Sequence, residues 1–233
     1  MEEGLRERKK RETRQRIADM AMGLFMIKGF DNVTVAEIAR AADVSVNTVF
    51  NYFGTKEDLF ADRQDVAIDL APQVLRERKP GESVVAAFRR DFFDALDTRH
   101  WRYGLSEGSD VFARIVGEAP SLVAKLREMH EKREDALTRA LADELEADAD
   151  DLTPRLVATH ILNTTRILTH SSVRRQLAGE QWESIGPDLR AQAEKAFDLL
   201  ESGIGDLLAG ETPGQRHDHE GEDDEAEGED HQD

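Results

Sequence analysis

From Ile17 to Leu208, apolar side chains return at steps of three and four, and the strict alternation of a half-buried strand is nearly absent. A chain patterned this way buries its stripes only by packing helix on helix, so the expected fold is all-α. The first helix is expected over residues 8–27, with Ile17, Met20, Ala21, Leu24 and Phe25 on one face. Gly29 ends it, because glycine takes a left-handed C′ position at no steric cost. Thr34 with Glu37 three residues on reads as a capping box opening a second, short helix that stops near Ala41. Ala42-Asp43-Val44 is a three-residue link, and Ser45 caps a third helix from Val46 to Tyr52. Gly54 breaks that helix, and Thr55 caps a fourth from Lys56.

Longer amphipathic helices are expected at 56–78, 82–98, 106–117, 120–146, 153–178 and 187–209. Pro80-Gly81, Pro120, Pro154 and Gly186-Pro187 punctuate them. Pro120, Pro154 and Pro187 suit a first helical turn, whereas Pro72 predicts a kink or break inside the fourth helix. Residues 211–233 are acidic and almost free of apolar groups, which predicts disorder. The chain then divides into a helix-turn-helix unit at 1–55, including a basic N-terminal arm at about 1–12, a helical domain at 56–210 and the tail at 211–233.

Charge is informative only by segment. The whole chain carries −18, from 49 acids and 31 bases. The tail 211–233 alone holds 11 acids and one base, while residues 1–60 hold 10 of each. The first 16 residues are basic, with seven bases against four acids. Zero cysteines exclude a disulfide-stapled fold and thiolate chemistry. No apolar run reaches the ~18 residues of a membrane span, and the start of the chain lacks the apolar core of a signal peptide. The expected location is the cytoplasm, with no membrane partner.

Two short helices joined by three residues make a helix-turn-helix. In the third helix, Val49, Phe53 and one of Phe50 or Val46 can pack inward. Asn47, Thr48, Asn51 and Tyr52 can point out, as short polar groups suited to base edges and phosphates. The caps Thr34 and Ser45 leave first-turn N–H groups for phosphates. Lys56 adds a charge just past the turn. Arg8, Lys9, Lys10 and Arg11 are either a frayed charged end or an arm that touches phosphates or the minor groove.

The stretch VTVAEIARAADVSVNTVFNYFGTKEDLF resembles the DNA-binding domain of TetR-type regulators, over about residues 10–60. The resemblance implies a homodimeric transcriptional regulator that reads a pseudo-palindromic operator in double-stranded DNA, with an unidentified small-molecule effector. The residues expected at DNA are Thr34, Ser45, Val46, Asn47, Thr48, Asn51, Tyr52, Lys56 and Arg11. This sequence departs from the family twice. Asp43 stands where the family commonly has glycine, and Asp tolerates the left-handed conformation better than most residues. Phe50 stands where the family commonly has a tyrosine whose hydroxyl meets a phosphate.

The helical remainder suits a ligand-binding and dimerising domain. Phe92, Trp101, Phe112 and Met129 are candidates for an apolar effector cavity. His160, Asn163, Thr164 and Ile167 share a face of the helix at 153–178 with Ser171; they are either interhelical hydrogen-bonding groups or an effector wall. Leu189, Ala193, Ala196, Phe197, Leu200, Ile204, Leu207 and Leu208 form the stripe of the last helix. With the helix at 153–178 it makes half of a four-helix bundle, which the resemblance implies as the dimer interface.

Enzyme readings find little support. No Gly-rich phosphate loop, HExxH or true nucleophile elbow is present, and GLSEGSD at 104–110 lacks the strand such an elbow needs. No cofactor is expected. His217, His219 and His231 are too loosely spaced in the tail to predict a metal site. The expected function is that of a repressor released from its operator by the effector; an activator or effector-independent regulator stays open, as does, from a different class, a helical interaction protein whose helix-turn-helix no longer binds DNA.

Overall fold

The computed structural model describes residues 4–66 and 68–204. The acidic tail, its histidines, and Leu207 and Leu208 of the last expected stripe lie outside the described residues. Within them the chain forms ten α-helices: α1 (Leu5–Lys28), α2 (Val35–Ala41), α3 (Val46–Tyr52), α4 (Lys56–Val66), α5 (Leu70–Arg76), α6 (Val84–Asp97), α7 (Ser109–Glu118), α8 (Pro120–Leu145), α9 (Thr153–Leu177) and α10 (Trp182–Ile204). A single 3₁₀ turn, Trp101–Tyr103, sits between α6 and α7.

Two boundaries differ from expectation, and the break expected near Pro72 is present. Residues 5–12 are the first turns of α1, not a flexible arm. The fourth helix divides into α4 and α5, with Pro72 buried in the first turn of α5, where its missing N–H removes no helical bond. The last helix begins at Trp182, so Pro187 falls inside it. The extra turn is anchored by Trp182: its indole lies against Gly186, where a Cβ would approach to 3.3 Å, and the Arg99 guanidinium stacks 4.7 Å from its ring. This packing offsets the one helical bond that Pro187 cannot donate.

Two cores hold the helices. The larger gathers Leu75, Val85, Phe88, Phe92, Leu137, Leu141, Ile161, Leu189 and Phe197 from α5, α6, α8, α9 and α10. The stripe of α10 is therefore spent inside the protomer: Leu189, Ala193 and Phe197 are buried, with Ala196 and Leu200 packed against them. The outward face of α10 carries Gln192, Lys195 and Leu199 instead.

The smaller core belongs to the helix-turn-helix unit, but that unit does not close it alone. Ile17, Phe25, Phe30, Ile38, Val49 and Phe53 are joined by Leu59 and Phe60 of α4 and by Ile115, Ala119 and Leu122 from the α7–α8 region. The α2–α3 link is held by the Val44 N–H donating to the Ala39 carbonyl at 2.9 Å, with Asp43 at φ 52°. A non-glycine residue in that conformation stores about 1 kcal/mol of backbone strain. Asp43→Gly should therefore raise stability by about 0.5–1 kcal/mol in urea unfolding; a loss of stability would mean that the Asp43 side chain supports the turn.

Candidate nucleic-acid interface and ligand cavity

The face expected to read DNA is built as the sequence suggests, with two adjustments. Thr34 and Glu37 form a reciprocal capping box: the Glu37 N–H donates to Thr34 Oγ1 at 3.2 Å, and the Thr34 N–H donates to Glu37 Oε2 at 2.9 Å. The Lys28 ammonium and these Thr34 donors hold the Glu37 carboxyl down to about 2. Ser45 caps α3 by accepting the Thr48 N–H at 3.0 Å, and the two hydroxyls are 2.8 Å apart. Asn47 and Asn51 are exposed, while Thr48 and Tyr52 are half-buried.

The first adjustment concerns the apolar residues of α3. Val49 and Phe53 pack inward, but Val46 and Phe50 both face solvent, at 38% and 49% exposure. A seven-residue helix offers one inward stripe, and Val49 with Phe53 four residues on fills it. Phe50 therefore lies beside Asn47 and Asn51 on the outer face.

The second concerns Lys56. Its Nζ donates to the carbonyls of Phe30 (3.0 Å) and Val33 (3.1 Å) and sits 4.2 Å from the Phe30 ring centroid. Two of its three donors thus secure the α1–α2 connection. It is a clamp of the unit before it is a charge for a phosphate. Arg14 does comparable work on α1, pairing with Asp62 at 2.7 Å, donating to the Tyr52 carbonyl at 2.9 Å and stacking on Phe53. Arg11 is exposed on the same helix.

A cavity of about 630 Å³ opens where this unit meets the body. Its walls come from α1 (Met22, Met26), α4 (Phe60), the 3₁₀ turn (Trp101), α7 (Phe112, Val116), α8 (Met129, His130, Arg133) and α9 (Leu162, Thr165, Arg166, Thr169, His170). Trp101, Phe112 and Met129, three of the expected effector residues, lie on this wall. Phe92 is not: it is fully buried in the larger core, against Tyr103 and Phe197. His160, Asn163, Thr164 and Ile167 do not line the cavity either. His160 Nδ1 lies 2.6 Å from the Leu156 carbonyl, Asn163 accepts from Arg166, and Ile167 is 63% exposed. The inward face of α9 runs instead through Leu162, Thr165, Thr169 and Val173, because Leu162, Thr165 and Leu168 carry the burial on that side.

The lining is polar at one end. The Tyr103 hydroxyl donates to Asp91 at 2.8 Å, and Arg102 pairs with the other Asp91 oxygen at 2.9 Å. Burial pushes the Tyr103 phenol well above its ordinary value and raises the Asp91 carboxyl. Burial, then the neighbouring Arg166 charge, lowers both His130 and His170. Arg133 escaped the sequence reading, although a signal was present. It interrupts the stripe Leu122, Leu126, Met129, Leu137 at helical spacing, which is a costly place for a solvated charge.

Comparison with known proteins decides what such a unit belongs to. The family model described as bacterial regulatory proteins, tetR family, matches residues 17–62. The HTH-type transcriptional regulator TcmR of Streptomyces glaucescens is 30% identical over 206 residues, spanning 84% of this chain and 86% of that protein. The chain belongs to the TetR family. The HTH-type transcriptional regulator AcrR of Shigella flexneri is 41% identical over 51 residues, covering 22% of this chain and 24% of its own length. The solved structure of NalD, the secondary repressor of the MexAB-OprM multidrug efflux pump in Pseudomonas aeruginosa, shares the fold. Its TM-score is 0.52 at 16% identity, covering 82% of this chain and 96% of that one.

The protein is thus a DNA-binding transcriptional regulator of TetR type, from a family of regulators rather than enzymes. No helix among the described residues is long and apolar enough to cross a membrane. Within this TetR-type unit, Lys56→Met should cost about 1–2 kcal/mol in urea unfolding, because it strands two partly buried carbonyls. Unchanged stability would return Lys56 to the role of a plain surface charge.

Proposed function

We propose that the protein is a homodimeric repressor, released from a pseudo-palindromic operator when a small molecule fills the cavity between its reading unit and its body. The observation that carries this reading is the shared wall. Met22, Met26 and Phe60 line the cavity and also belong to, or adjoin, the helices that carry α2 and α3. An occupant therefore touches the DNA-binding unit directly.

At DNA, Asn47 and Asn51 are the base-reading candidates, since an amide can pair bidentately with adenine. Thr48, Tyr52 and the capped ends at Thr34 and Ser45 serve the backbone, with Val46 making apolar contact. Lys56 contributes its remaining donor and Arg11 a charge from α1. Dimerisation is supported by the outer faces of α9 and α10, where Leu156, Ile167 and Leu199 are 54%, 63% and 76% exposed. His160, Asn163 and Thr164 lie on that same side of α9, so they suit the partner better than the ligand. A two-fold pair of α3 helices reads half-sites about one or more helical turns apart.

Release follows as a population shift. An occupant changes DNA affinity only through different affinities for the two conformers. The lever is α4, which is tied to α1 by Asp62–Arg14, to α8 by Asp58–Lys125 at 2.7 Å, and to α7 by the Phe60–Phe112 stack at 4.7 Å.

Operators selected from fragmented genomic DNA with the purified protein test the reading. The expected result is a palindromic site whose affinity falls steeply with salt. Asn47→Ala should weaken that site about 10-fold or more, the worth of one good base contact, and relax its sequence preference. No enrichment over random fragments, or full affinity after Asn47→Ala combined with Asn51→Ala, would contradict it.

A further inference from the structure

The chain is strongly acidic, yet the wall of its cavity is not. Glu107 is the one carboxylate on the wall among the described residues, and its side chain is 91% exposed, facing Arg99 at 3.6 Å. Three arginines line the same space. Asp91 neutralises Arg102. Arg166 is exposed at the cavity edge, and among the described residues its side chain bonds only the Asn163 side-chain amide oxygen, through Nε and Nη2. Among the described residues Arg133 has no carboxylate within ion-pair distance, and its buried Nε has no hydrogen-bond partner. Burial lowers its pKa, and Tyr103 supplies the only opposing influence.

A guanidinium set into an apolar helix stripe without a counter-charge is costly to keep in place. The cost is recovered when an anion arrives, because a charge-assisted contact there forms away from bulk water. Arg166 lines the same cavity from α9; the charges of Arg166 and Arg133 act on His130 and that of Arg166 on His170, and both histidines are held toward their neutral form. On the same wall, Trp101, Phe60 and Phe112 offer flat apolar surface, with Phe60 and Phe112 stacked at 21°. The volume lies within the ~300–1,000 Å³ of sites that enclose drug-sized ligands.

We propose that the effector is an aromatic organic anion, its acidic group held by Arg133 with Arg166 and its ring system laid against Trp101 and Phe112. This rests on the reading of the cavity as the effector site and adds its charge selectivity. The assignment predicts discrimination between ligands of one shape and different charge.

Two fluorescent probes share a skeleton and differ in charge: 8-anilinonaphthalene-1-sulfonate is an anion, and N-phenyl-1-naphthylamine is neutral. The full-length protein should bind the sulfonate at least 10-fold more tightly, one probe per chain. Arg133→Met should weaken the sulfonate at least fivefold and leave the neutral probe unchanged or tighter. Arg133→Gln serves if the methionine variant melts early, and Arg133→Lys should retain most of the preference. Arg139→Met, which removes an exposed charge from the same helix, should change neither. Ala113→Trp, which fills the cavity, should abolish both.

Equal affinity for the two probes, or an unchanged sulfonate affinity after Arg133→Met, overturns the anion assignment while leaving the cavity as a ligand site. Binding of both probes that survives Ala113→Trp, or binding of neither probe to the wild type, overturns the cavity reading as well.

Discussion

Four phenylalanines hold the reading unit to the body. Phe25 and Phe30 meet at 5.1 Å, Phe60 reaches both at 5.8 and 5.9 Å, and Phe112 stacks on Phe60 at 4.7 Å. Aromatic pairs of this kind add about 0.5–1.5 kcal/mol each beyond the area they bury. The first three rings belong to the core that supports α2 and α3. The fourth stands in the cavity wall together with Phe60. The short helices α2 and α3 have little apolar surface of their own, and besides α1 the core that supports them is completed by α4, Ile115, Ala119 and Leu122. The geometry of the reading unit therefore depends on α7 and α8, and the proposed release by a ligand would act through that dependence.

Charge is arranged to match. Affinity for DNA is set by the phosphates neutralised at the contact, and charges beyond about 8–10 Å are screened at cellular salt. A neutral reading segment on an acidic chain thus binds through a small local set of donors, and the acidic remainder lowers attachment to unrelated sequence. The cavity wall inverts the pattern of the body: among the described residues Arg133 and Arg166 line it with no carboxylate paired to them, in a chain of net charge −18.

The parts of the fold that follow from local chemistry were legible in the sequence. The capping box at Thr34 and Glu37, the Ser45 cap, the left-handed Asp43 and the break near Pro72 each depend on neighbours within a few residues. What depended on long-range packing was not. Trp182 starts α10 early by lying on Gly186 and under Arg99, a residue 83 positions away in sequence. Helical spacing identified one polar face of α9, but it could not say which way that face points. His160, Asn163, Thr164 and Ile167 turn outward because Leu162, Thr165 and Leu168 take the inside. Phe92 is as aromatic as Phe112, and only its place on α6 puts it in the larger core. Phe50 and Val46 are apolar yet exposed, as residues of an interface can be and residues of a core cannot.

In the proposed dimer, the distance between the two reading units is the quantity that a ligand in the cavity would change. The chain has no cysteine, so Ala36→Cys on the exposed side of α2 gives one spin-labelling site per protomer. Pulsed electron-electron resonance can then compare the free protein, the operator complex and the same label in an Ala113→Trp background. The operator should select one narrow distance, and the filled cavity should shift the distribution away from it while operator affinity falls at least 10-fold. A loss of operator affinity with the distance distribution unchanged would contradict the coupling of cavity to reading unit through the shared aromatic core.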